Sequence, residues 1–142
     1  MWLTERRFAN AAILDVHGAL TGTASSELLQ MTTRTEVDSG VRVVILNLTD
    51  VGAIDDEGIR AVYGIAESTR QCGAEVRIAG DLGRIAHLGA VRPIVMAFRT
   101  FPTVDDALGD IRAALEQRHA RGTPSRLSAW LTTLRDRLFT KS

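Results

Sequence analysis

The chain has 142 residues, in which 17 lysines and arginines balance 17 aspartates and glutamates. This length suits a single domain with its own hydrophobic core. The zero formal charge provides no overall field that would attract nucleic acid or an anionic membrane.

The cellular setting follows from the single cysteine and from the N-terminus. Cys72 stands alone, which excludes an intrachain disulfide framework and a cysteine-based zinc cluster and fits a reducing compartment. The charged start, Met1–Arg7, is unlike a signal peptide, and no apolar stretch approaches the roughly 20 residues of a membrane span. We therefore predict a cytoplasmic protein with no nucleic-acid partner and no stable membrane insertion.

The N-terminal part of the chain reads as two strands and a helix. The strands Arg7–Asn10 and Ala11–Val16 are predicted from short runs of β-forming residues. Thr21–Ser25 then offers several N-cap candidates and Gly40 is a stop signal, so a helix is predicted between them.

The middle of the chain has the pattern of a βαβ unit. The run Val41–Leu48 is nearly all apolar, which is typical of a strand covered on both faces in a parallel sheet. Apolar residues then recur at helical spacing in Glu57–Gln71, before a stop at Cys72-Gly73 and a strand at Glu75–Ala79. The two strands should be parallel, joined by a right-handed crossover.

The remaining elements complete the order ββαβαβαβα. They are a short helix over Leu82–Leu88, a strand near Ala97–Phe101 and a helix from Val104 to about His119 with Thr103 as its N-cap. We therefore predict an α/β fold with a mixed, mostly parallel sheet of about four to five strands packed with helices.

A break in the helical pattern separates a C-terminal tail. Glycine, proline and serine at residues 121–125 predict a linker, and residues 126–142 predict an amphipathic helix. Its apolar stripe consists of Leu127, Trp130, Leu131, Leu134 and Leu138. The tail carries a net charge of +3, from Arg126, Arg135, Arg137 and Lys141 against Asp136. It either packs on its own domain or forms a homodimer contact, a partner contact or a weak membrane contact.

The most informative motif is a run of three acids, Asp55-Asp56-Glu57, between the Val41–Leu48 strand and the following helix. In α/β sheets, ligands and partners usually bind at the carboxyl ends of the strands. A purely structural interpretation is that Asp55 or Asp56 caps the helix and Glu57 lies in its first turn, where the helix dipole favours negative charge.

The order of elements and several of their sequences resemble the STAS domain of bacterial anti-sigma factor antagonists. The resemblance extends from about Leu3 to Leu115, within a domain that we place at residues 1–120. It is carried by four stretches in the expected order, namely residues 13–20, 43–51, 73–80 and 104–108. Between the second and third of these, Ile54–Ile59 occupies the place of the family's Asp-Ser-Ser-Gly-Leu signature.

The resemblance implies a regulatory module that binds a partner kinase, itself an anti-sigma factor. In typical members the kinase phosphorylates the serine before the signature glycine, and the added charge of roughly −1.5 to −2 dissociates the complex. That serine corresponds to Glu57, the preceding serine to Asp56 and the leading aspartate to Asp55. Neither Asp56 nor Glu57 has a hydroxyl, so the standard switch is excluded.

The resemblance also places Asn47 where many relatives carry aspartate, and we interpret this loss of charge as a partial offset to crowding by the new acids.

Two functional interpretations of Glu57 follow from the resemblance. Glu57 either imitates a permanent phosphoserine or belongs to a surface that needs no phosphoswitch. The predicted partner-binding residues are Asp55, Asp56, Glu57, Gly58, Ile59, Arg60 and Tyr63.

Other chemistries have weaker support in the sequence. The acids match no Ca²⁺-loop spacing, the three histidines are scattered, and the glycines form no phosphate-binding loop, so we predict no metal, cofactor or catalytic residue. The alternatives are a STAS subunit of a signalling scaffold or transport complex, and a domain that binds a small ligand or nucleotide at the same strand ends.

Overall fold

The structure, a computed structural model, describes residues 1–81 and 98–122. The chain divides into two compact units, Met1–Ala107 and Leu108–Ser142. The strands are β1 (Trp2–Phe8), β2 (Ala11–Leu20), β3 (Val43–Ile54), β4 (Glu75–Ala79) and β5 (Arg99–Phe101). The helices are α1 (Gly22–Asp38), α2 (Asp56–Gln71), α3 (Val104–Ala107) and α4 (Gly109–Gly122), of which α4 belongs to the second unit.

The five strands form one mixed sheet in the order β1-β2-β3-β4-β5. β1 pairs with β2 antiparallel, and the other three neighbouring pairs are parallel. The predicted mostly parallel α/β sheet is confirmed, as is the parallel arrangement of the strands on either side of α2.

A continuous hydrophobic core joins one face of the sheet to α1 and α2. Alternate residues of β2, such as Leu14 and Val16, are completely buried there. Leu29 of α1 and Val62 of α2 meet them in the same cluster. Buried residues recur every two positions in the strand and every three to four in the helices, and these periods are the ones that strands and helices require.

The predicted bounds of three strands were wrong. β1 begins at Trp2 and ends before the turn at Ala9-Asn10, whereas the prediction had a strand at Arg7–Asn10. Its side chains are mostly exposed, as suits a charged strand at the edge of a sheet, so it has little hydrophobic pattern. β2 and β3 also continue beyond their predicted ends, to Leu20 and Ile54.

The helix predicted from Val104 is divided into α3 and α4, which flank Leu108. The Thr103 hydroxyl accepts a hydrogen bond from the amide of Asp106 at 3.1 Å, so the predicted N-cap is confirmed. The predicted helix at Leu82–Leu88 and the amphipathic tail at residues 126–142 lie outside the described residues, as does most of the predicted linker.

Two irregularities in β3 determine which side chains face the core. Against β2, one extra residue lies between Asn47 and Asp50, and a second lies at Gly52. Such bulges change the direction of the side chains that follow them. After the first extra residue Val51 faces the core, and after the second Ile54 does, although both lie beyond the regular apolar run.

Candidate functional site

The acidic run lies at the junction where β3 ends and α2 begins. Asp55 is the N-cap of α2, and its Oδ1 accepts a hydrogen bond from the Gly58 amide at 2.8 Å. Its Oδ2 accepts a second from the Gly22 amide, at the start of α1, at 3.0 Å. Hydrogen bonds from these backbone amides, of which the one from Gly58 has the largest effect, hold the pKa of Asp55 below its ordinary value. The capping prediction is confirmed, with Asp55 as the cap.

Gly58 is required by the close approach of α2 to the end of β2. A Cβ atom at this position would overlap the carbonyl oxygen of Leu20, which is backbone and cannot turn away. The glycine of the motif therefore allows the helix start to lie against the sheet.

Glu57 connects the first turn of α2 to the first turn of α1. Its Oε2 accepts a hydrogen bond from the Thr23 hydroxyl at 3.0 Å. The backbone carbonyl of Glu57 accepts another from the buried Ser26 hydroxyl at 3.2 Å. The carboxylate is half-buried, so its charge lies between the two helices and partly at the surface.

The predicted partner-binding residues differ in how far they reach solvent. Asp56 and Arg60 are exposed, and Asp55, Glu57 and Tyr63 are half-buried. Gly58 and Ile59 are buried, and Ile59 is part of the core. The last two therefore shape the site from beneath, and the other five can meet a partner.

Tyr63 lies one turn further along α2 and packs against Phe98, with their ring centroids 5.6 Å apart. This contact fixes the Tyr63 ring at the edge of the candidate surface. Phe98 follows β4 in the chain, so the spacing of residues within α2 could not indicate its contact with Tyr63.

A polar cluster on the opposite face of the sheet was not predicted. Its centre is Asp15, which accepts two hydrogen bonds from the Arg6 guanidinium at 2.8 and 2.9 Å. The Asn47 amide donates a third at 2.7 Å. Partial burial raises the pKa of Asp15, but the bonds from Arg6 and Asn47 outweigh it and keep the pKa below its ordinary value.

Asn47 forms two side-chain hydrogen bonds of its own in this cluster. Its amide contacts Asp15, and its carbonyl oxygen accepts from the Thr49 hydroxyl at 2.6 Å. An aspartate at position 47 would place a second carboxylate against Asp15. The cross-strand neighbour Asp15 therefore provides a structural reason for an asparagine at this position.

His17 and Asp50 continue this cluster towards the carboxyl end of β3. His17 Nδ1 is 3.2 Å from Asp50 Oδ2, and the Trp2 ring stacks on the imidazole with centroids 3.8 Å apart. Asp50 reaches this face only because of the first β3 bulge. A regular strand would have placed Asp50 elsewhere, so no spacing rule could have found the pair.

Neither a metal-binding cluster nor a membrane-spanning helix is present within residues 1–81 and 98–122. No three histidine, cysteine, aspartate or glutamate side chains converge there in a way that could hold a metal ion. No helix in these ranges is long and apolar enough to cross a bilayer.

The family model of the STAS domain matches residues 5–107 of the chain. No curated protein matches the sequence. Solved structures share the fold at low sequence identity. An anti-sigma factor antagonist from Mycobacterium paratuberculosis is 16% identical, with a TM-score of 0.63 over 78% of this chain and 93% of that one.

Two further structures show the same likeness. The Thermotoga maritima protein TM1081 is 16% identical, with a TM-score of 0.67 over 79% of this chain and 90% of that one. The unphosphorylated anti-sigma factor antagonist SpoIIAA of Bacillus is 14% identical, with a TM-score of 0.58 over 78% and 98%. A structure of Mglu is 25% identical, but its TM-score is 0.48 and this chain covers only 18% of its length.

Proposed function

Because the chain belongs to the STAS domain family, we propose that it is a non-enzymatic regulatory module that docks on an anti-sigma factor with serine kinase activity. The likeness of its fold to anti-sigma factor antagonists supports this choice of partner. In the proposal, the surface that meets the partner consists of Asp55, Asp56, Glu57, Arg60 and Tyr63. Gly58 and Ile59 support that surface from beneath.

The observation that carries the proposal is the position of the Glu57 carboxylate. By the family resemblance, Glu57 stands where the regulated serine would be, and here the side chain is held across the α1–α2 junction by the Thr23 hydroxyl. The charge at this point is therefore permanent and cannot be added or removed by a kinase and phosphatase.

This geometry favours docking without a phosphoswitch over imitation of phosphoserine. A phosphate carries nearly two charges and three acceptor oxygens. Glu57 offers one charge and two oxygens, and one of these oxygens already accepts a hydrogen bond within the domain. The surface charge left for a partner is correspondingly smaller than that of the phosphorylated state.

The test compares the wild type with Glu57→Ser, which restores a hydroxyl, and with Glu57→Gln, which removes the charge but keeps the shape. Each protein is used to capture binding proteins from its native cells, and any ATPase with a histidine-kinase-like fold is purified. Binding to that ATPase is then measured with and without ATP. We expect the wild type to bind in both conditions and Glu57→Ser to be released when ATP is added.

Other outcomes separate the alternatives. Binding by Glu57→Ser but not by the wild type would show that Glu57 imitates the released, phosphorylated state. Recovery of transporter or scaffold proteins, or of no kinase-like partner by any variant, would contradict the proposal. Glu67→Ser is the matched control, because Glu67 is an exposed acid further along α2 that pairs with Arg70 and should not affect docking.

A further inference from the structure

The outer surface of α1 carries two of the large apolar side chains that the structure leaves exposed. Leu28 is 42% exposed and Met31 is 67% exposed. They are three residues apart, so they lie on neighbouring parts of one helical face. Leu29 and Thr33, on the opposite face of α1, are buried. The exposed pair thus contributes little to the core of its own domain.

Charged side chains of α1 flank this apolar pair. Glu27 and Asp38 are acidic, Arg34 is basic, and all three are exposed. None of the three side chains forms a hydrogen bond or ion pair with any part of the chain that the structure describes. Glu27 and Arg34 lie on either side of Met31 along the helix, about 10 Å apart at 1.5 Å per residue.

From this arrangement we propose that α1 binds α1 of a second copy of the chain, antiparallel, across a two-fold axis between Gln30 and Met31. A two-fold interface uses the same patch twice, so the patch must be complementary to itself. With the axis there, Glu27 of each copy lies beside Arg34 of the other, and the interface contains two equivalent Glu27–Arg34 ion pairs. The two Leu28 side chains are covered on the other flank.

The surface beside α1 leaves room for the second helix. A groove of about 500 Å³ separates α1 from α2, and Met31, Val37, Gly64 and Ile65 contribute to its lining. Gly64 has no side chain and is exposed, so a neighbouring helix can approach closely. One helix pair is smaller than a standard protein interface, so the dimer should be weak and should depend on concentration.

The test is a charge exchange measured by sedimentation equilibrium of the full chain between 10 µM and 1 mM. Each single variant, Glu27→Arg or Arg34→Glu, replaces both ion pairs of the two-fold interface with contacts between like charges. We expect each to weaken dimerisation by about tenfold. The double variant Glu27→Arg/Arg34→Glu restores both pairs in reverse and should dimerise nearly as well as the wild type.

Controls separate this interface from others and from misfolding. Arg42→Glu makes the same charge change at an exposed site outside α1 and should leave the dimer intact. Circular dichroism should show unchanged helix content in every variant. A wild type that stays monomeric at 1 mM would overturn the proposal. So would a double variant no better than the single ones, or a dimer that is lost on deleting residues 123–142 and unaffected by the charge changes.

Discussion

Asp55, Asp56 and Glu57 are adjacent in the chain, but their side chains have different surroundings. Asp55 accepts hydrogen bonds from two backbone amides, Asp56 faces solvent, and Glu57 accepts a hydrogen bond from Thr23. At the scale of single residues, a run of like charge is therefore tolerated because two of its members have donors of their own within the domain.

Asp55→Asn should lower the midpoint of thermal unfolding by a few degrees at pH 7, because one amide oxygen cannot replace two carboxylate oxygens. The pKa of Asp55 is lowered in the folded state, so its contribution is complete above the ordinary value of 3.8 and is lost as the pH falls through the folded value. The difference between wild type and variant should therefore shrink as the pH is lowered below 3.8.

The measurement is a series of thermal melts across this pH range, with Asp56→Asn as the control. The Asp56 side chain makes no hydrogen bond with any described residue, so its substitution should change the midpoint little at any pH. A difference for Asp55→Asn that is constant down to pH 2 would contradict the assignment.

Asn47→Asp should destabilise the fold by about 1–3 kcal/mol at pH 7, since it removes a donor to Asp15 and adds a like charge. Acidification should reduce this loss, because a protonated carboxyl can again donate to Asp15. Urea unfolding at pH 7 and pH 4 would measure both effects. Asn47→Ala removes the donor without adding charge, so its loss should vary less with pH.

At the scale of elements, the start of α2 depends on a glycine in a way that its middle does not. Gly58→Ala should cost about 1–3 kcal/mol, because the added Cβ meets the Leu20 carbonyl. Gly64→Ala lies on the exposed side of the same helix, where only the Gln30 amide comes near, at 3.6 Å. It should stabilise the protein by about 0.5–1 kcal/mol, as the loss of a mid-helix glycine usually does.

Urea unfolding midpoints of the two variants provide the measurement, with the slope of the transition unchanged. Each alanine is the other's control, since both substitutions add one methyl group to α2. Equal effects on stability would show that the close approach of α2 to β2 does not limit position 58.

At the scale of the whole molecule, the sequence predicts the buried elements better than the exposed ones. The apolar start of β3 and the amphipathic α2 were predicted because burial imposes a period on their residues. β1 has mostly exposed side chains and is held by pairing with β2, which leaves no such period. Its extent could therefore not be predicted from local pattern.

The candidate site was also predicted only in part. Its place in the chain followed from the family resemblance, and the Asp55 cap followed from residue type and position. The bond from Thr23 to Glu57 joins residues 34 apart, and the bond from Asn47 to Asp15 joins residues 32 apart. Contacts of this kind depend on how elements pack, which no spacing within one element reveals.

The two bulges of β3 limit how the domain can be redesigned. Each supplies one residue more than β2 does over the same distance. The first turns Val51 towards the core, and the second restores the alternation so that Ile54 also faces the core. A deletion of one residue between positions 48 and 52 would turn the following side chains to the opposite face. An engineered variant can therefore change the identity of Thr49 or Gly52 more readily than it can change the number of residues before α2.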